Sequence, residues 1–185
     1  MENKYSGAIT LGYASLFVTL WLFFMPFKDW YCFESGNEAL PILMVLGGVV
    51  LAIAGIFCLL NEAKVESVIF LVMAAAQFSY MMRLVMYPDM SANTNPSIVD
   101  GWILFLVAVV IFYVWLASLK IGMIKQLFLL ALWIALLGGA ISNWLDVSFI
   151  HYITSYLGLI AALLAGWLSA STILPKKESS PPSAG

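Results

Sequence analysis

Residues Ile124–Trp144 read IKQLFLLALWIALLGGAISNW, an apolar run broken by two adjacent glycines and closed by an asparagine. A helix needs about 20 such residues to cross the hydrocarbon core of a bilayer. Within that core glycine costs about 1 kcal/mol against alanine, and an amide without a partner costs several more. Gly138 and Gly139 therefore imply a close neighbour. Asn143 implies either a helix end at the interface or a wet surface. A single run of this kind fits a buried core helix, whereas repetition points to a membrane.

The run is repeated. The chain has 185 residues, 63% of them hydrophobic and 10% charged, with a mean hydropathy of +1.00. That leaves too little polar surface for a soluble globule. Spans are expected at about Ala8–Phe27, Ala39–Leu60, Val65–Met86, Gly101–Leu119, Ile124–Asn143 and Phe149–Leu174. The expected fold is all-α integral membrane, with six transmembrane helices in one domain over 1–174. The first span is too long for a signal-peptide core and lacks a small-x-small cleavage site, so it reads as a retained helix. Cys32 and Cys58 are placed too far apart along the chain's path to form a disulfide framework.

The lysines set the orientation. With the N-terminus inside, Lys4, Lys64, Lys120, Lys125, Lys176 and Lys177 are cytoplasmic, whereas Asp29, Glu34, Glu38, Asp89, Asp100 and Asp146 occupy outer loops. Both termini are thus expected in the cytoplasm, in an inner or plasma membrane. The tail PKKESSPPSAG has nothing to bury and reads as disordered. No basic cluster offers a nucleic-acid surface.

Polar residues within the spans mark candidate path positions. Gln77, Tyr80, Arg83 and Tyr87 recur every three or four residues and share one face of the third span. At about 1.5 Å per residue, Gln77 lies near the midplane and the stripe climbs outward. Arg83 is the one charge well inside a span. It either snorkels to the interface or attracts anions into the path. In the fifth span, Leu132, Gly139 and Asn143 share a face that passes from leucine at the midplane to asparagine at the outer end. The double glycine Gly47-Gly48 and the strip Gly48, Ala52, Gly55 supply further small surfaces. Ser15 and Thr19 lie on a small, mildly polar side of the first span. His151 opens the sixth, either as an interfacial residue or as a sensor.

No HExxH, no metal-ligand spacing, no phosphate loop and no nucleophile with an in-membrane base are present. The chain is therefore not expected to be an enzyme, and no metal or cofactor is implied.

Several stretches resemble the acetate uptake transporter family, which includes the bacterial succinate–acetate permease. SLKIGMIKQLFLLALWIALLGGAISN is similar to the family pattern of Leu-Lys-Gly, a following Gln, an apolar run and a small residue before Asn. Here these are Leu119-Lys120, Gly122, Gln126 and Asn143. YLGLIAALLAG and GGVVLAIAGIFCLLNEAK resemble the sixth and second family helices. The family's N-terminal Asn-Pro-Ala-Pro-Leu-Gly is replaced by NKYSGAITLGY. The resemblance implies a ring of six protomers, each with its own pore, moving acetate and related small carboxylates by proton-coupled or channel-like passage. It also implies a hydrophobic constriction from the first, third and fifth helices. Leu132 matches its leucine. A gap-free alignment puts Leu11 at the phenylalanine, with Ser15 nearer the midplane. The third-helix tyrosine falls near Ala75, and Tyr80 is the nearest tyrosine.

The expected path is therefore Leu11, Ser15, Gln77, Tyr80 and Leu132, with Arg83 and Asn143 in an outer vestibule. At an effective dielectric of about 20 and ~4 Å, Arg83 would attract a carboxylate by on the order of 4 kcal/mol before desolvation. Two other readings stand beside this one: a urea or short-amide channel, and a non-transporting membrane subunit.

Overall fold

The computed structural model describes residues 6–24, 39–86, 96–145 and 147–174. Lys28, Asp29, Cys32, Glu34, Glu38, Tyr87, Asp89, Asp146 and the tail from 175 onward lie outside the described residues, as does the side chain of Arg83. The described chain is all-α: α1 (Ser6–Phe24), α2 (Ala39–Leu60), α3 (Lys64–Met86), α4 (Pro96–Ala117), α5 (Met123–Leu145) and α6 (Ser148–Ile173). All six are long and apolar enough to cross a membrane.

Each helix packs on its neighbours in the chain, and α6 returns to α1, so the six form a ring in chain order. Consecutive helices run in opposite directions. One end of the ring carries the C-termini of α1, α3 and α5. The other carries the tight turns 61–63 and 118–122, and is called the turn end below. Glu62 closes α2 in the left-handed region (φ 61°), while Asn61 Nδ2 donates to the Phe57 carbonyl at 2.7 Å. In lipid these satisfied helix ends matter, because bare carbonyls find no water there. Gln126, one of the residues that carry the family resemblance, has a local task of this kind. Its Nε2 donates to the Leu119 carbonyl at 2.6 Å and so caps α4 from the start of α5.

The glycines let helices approach, and they do so within the protomer. A Cβ on Gly138 would meet Thr154 of α6 at 2.5 Å, and one on Gly139 would meet Leu104 of α4 at 3.2 Å. The other double glycine serves different partners: Gly47 faces Thr19 of α1, and Gly48 faces Phe78 of α3. Gly55 accepts Leu71, and Gly158 accepts the Phe24 ring. These small-residue strips are taken up inside one chain and carry no argument for assembly. Aromatic contacts complete the α4–α5 seam, with Trp102 over Trp144 at 5.0 Å and Phe112 edge-on to Trp133 at 5.3 Å.

One expected boundary shifts by several residues. α4 begins at Pro96, five residues before the expected Gly101, because proline is favoured in the first helical turn, where its missing N–H is not needed. Asp100, expected in an outer loop, therefore lies within α4.

Candidate functional site

A cavity of about 210 Å³ lies within the ring, in the half away from the turn end. At ~30 Å³ per water it has room for roughly seven. Five helices supply its walls: α1 with Thr19 and Phe23, α2 with Met44, α3 with Gln77 and Tyr80, α4 with Asp100, and α5 with Leu136 and Asn143. Mostly apolar walls with a few convergent polar groups are the usual make-up of a small-molecule site. Gln77 is 5% exposed, and its Oε1 has no hydrogen-bond partner within the described protein. A buried amide oxygen left unpaired costs about 1–3 kcal/mol. In a cavity of this size, water or a passing solute can supply the missing donor. Tyr80 is held beside it by an edge-on contact with Phe23, with ring centroids 5.8 Å apart.

Nearer the turn end the interior is closed. Leu16, Phe70, Phe128 and Leu132 are fully buried, and Tyr13 is 1% exposed. The Tyr13 ring stands edge-on to Phe70 at 5.2 Å and to Phe128 at 5.8 Å, clamped between α3 and α5. Leu132 is one turn along α5 from Phe128, on the cavity side. This belt is packed rather than porous, and an ion cannot cross such apolar packing undressed.

Beyond the belt, at the turn end, Lys125 of α5 forms an ion pair with Glu66 of α3. Phe70 and Phe128 follow these two residues by about one helical turn, so the pair lies directly beneath the clamp. Glu66 is 8% exposed and its neighbour Ser67 is 1% exposed.

The expected site residues divide into three groups. Gln77, Tyr80 and Asn143 line the same cavity. Leu132 is buried in the closed belt. Leu11 and Ser15 are corrections. Leu11 is 50% exposed and lies with Gly7 and Val18 on the outer side of α1, whereas Tyr13, Leu16 and Leu20 face the interior. The gap-free alignment thus chose a position on the wrong side of α1. Ser15 donates from Oγ to the Gly47 carbonyl at 3.1 Å, tying α1 to α2 instead of lining the cavity. Ala75, at the position expected for the third-helix tyrosine, is likewise exposed.

Thr19 bonds back to the Ser15 carbonyl at 2.8 Å, as expected of a helical threonine, and still reaches the cavity wall. His151 lines a much smaller void with Phe24, Ser142 and Thr154. Asp100 and the Glu66–Lys125 pair escaped the sequence reading. Pro96, as a helix-start signal, could have placed Asp100 in α4, but nothing in the sequence joins residues 66 and 125. Among the described residues no cluster of His, Cys, Asp or Glu could hold a metal ion.

No family model matches the sequence, and no curated protein matches it significantly. The architecture does have a solved counterpart. The bacterial acetate channel SatP superposes with a TM-score of 0.80 over 91% of this chain and 97% of its own, at 17% sequence identity. The resemblance first read from short motifs thus extends to the six-helix ring as a whole, and the chain shares the fold of that channel.

Proposed function

We propose that the protein is a membrane channel or transporter for acetate and related small carboxylates, with one path inside each protomer. The carrying observation is the cavity itself. It is walled by five of the six helices, presents Gln77, Tyr80 and Asn143, and includes Leu136, one turn along α5 from the buried Leu132. A polar cup above an apolar plug suits a small solute that sheds water in stages. The shared fold with an acetate channel supports the choice of solute. On this reading both termini are cytoplasmic, transport is proton-linked, the protein resides in the inner or plasma membrane, and the assembly is a homohexamer. Arg83 then draws the carboxylate toward the cavity, and Asn143 donates an amide hydrogen bond as water leaves.

A second reading is favoured by the neutral groups at the cavity. Thr19, Gln77, Tyr80 and Asn143 can hydrogen-bond urea or a short amide without any cation. Liposome flux separates the two. The carboxylate reading expects acetate to pass faster than urea in purified, reconstituted protein, with uptake increased by an acid-outside gradient. Urea flux above acetate flux would replace the first reading with the second.

A further inference from the structure

We infer that Lys125 is a carboxylate-binding site at the closed end of the path, filled in this state by the chain's own Glu66, which a permeating carboxylate displaces. The inference deepens the carboxylate reading above and rests on it.

Glu66 and Lys125 are 59 residues apart, on helices that are not neighbours around the ring. Their side chains nevertheless meet beneath the Tyr13–Phe70–Phe128 clamp. Glu66 is 8% exposed, and a carboxylate so buried is strongly disfavoured unless it is paired. Pulling the pair apart in place would leave the Glu66 carboxylate buried and unsatisfied, while Lys125, with 29% of its side chain exposed, would lose its partner at less cost. Exchange avoids the loss at Lys125, and only Glu66 then needs other donors. A solute carboxylate carries the same head group as Glu66, so it can take the Lys125 ammonium without leaving it bare. A neutral solute cannot make this substitution. The pair thus opens at least expense to a carboxylate.

Two hydroxyls nearby lack partners. Ser67 Oγ and Tyr13 Oη are buried without a hydrogen bond within the described protein, in residues each 1% exposed. Ser67 follows Glu66 directly in the chain. These hydroxyls are donors of the kind needed by a carboxylate that has just left Lys125, or by one arriving there. The rings above are apolar and packed, so a short alkyl tail meets no polar group there but enters only as the clamp loosens. The arrangement therefore fits a small monocarboxylate, with its head on Lys125 and its tail toward the clamp.

The test reads binding rather than transport. Acetate is titrated against the thermal midpoint of purified full-length protein in detergent, with chloride and acetamide as controls. In Glu66→Gln the internal competitor is gone. The half-maximal acetate concentration should then fall about tenfold below wild type, equivalent to ~1.4 kcal/mol. In Glu66→Gln/Lys125→Gln that acetate response should vanish. If Glu66→Gln does not fold, Glu66→Ala takes its place. The inference is overturned if removing Glu66 does not sharpen the acetate response, or if the response persists unchanged without Lys125. A Lys125-dependent response in a protein that passes no acetate in liposomes would defeat the transport reading and leave the site. Acetate flux without that response would do the reverse.

Discussion

The two halves of the helix ring treat polar groups in opposite ways. Toward the C-termini of α1, α3 and α5, Gln77, Tyr80 and Asn143 converge on an open volume of about 210 Å³. Toward the turn end, the charges at Glu66 and Lys125 neutralise each other under packed aromatic rings. One half leaves hydrogen-bonding capacity for a guest, and the other spends its charges on itself. On the proposed reading, a solute would meet hydrogen bonds first, an apolar belt second and a charge last. Under that reading the order would let a small anion lose water gradually and would keep the resting path shut.

The largest effect should come from thinning the belt that separates the halves. Leu132→Ala should cost about 2–5 kcal/mol of stability through the cavity it leaves. It should also raise passive leak of both acetate and urea in liposomes. If the variant is destabilised while every flux is unchanged, Leu132 is ordinary packing and no path runs past it.

Gln77→Leu should separate function from stability. It removes an unpartnered amide oxygen, so the folded protein should lose little and should gain up to about 1–3 kcal/mol. Solute flux should drop at the same time. Flux and thermal midpoint falling together would mean that Gln77 is structural.

Arg83→Gln should reduce acetate uptake more than urea uptake, whereas Asn143→Leu should impair both. Equal loss of the two solutes in Arg83→Gln would remove the arginine from the anion's route. The smallest effect is expected at Leu11, on the outer side of α1. Leu11→Ala should stay within about 0.5 kcal/mol of wild type and leave flux unchanged, whereas Leu16→Ala should behave like a core truncation.

The sequence made the helices legible because each apolar run is long and the lysines and acidic residues punctuate the gaps. It was less informative about how each helix is rotated about its axis. On α5 and α3, polar residues at helical spacing mark one face, and Gln77, Tyr80 and Asn143 of that face line the cavity. On α1 almost every residue is apolar or small, so no periodic contrast separates Leu11 from Tyr13 or Leu16. Contacts with α2, α3 and α6 decide that rotation, and they are tertiary. Asp100 was misplaced because its apolar flank begins after Gly101, which hid the turn of helix initiated by Pro96. Lys125 was read from the sequence only as one of the cytoplasmic lysines. Its partner could be seen only after α3 and α5 had been brought together.

Accessibility of single cysteines tests the central contrast most directly. In a background with Cys32 and Cys58 replaced by alanine, Gln77→Cys, Asn143→Cys and Leu132→Cys are treated with a membrane-impermeant thiol reagent in reconstituted protein. An open polar half and a sealed belt predict that residues 77 and 143 react from one side only, that acetate slows their modification, and that residue 132 resists modification from both sides. Unreactive cysteines at 77 and 143, or modification at 132 as fast as at 143, would contradict the account.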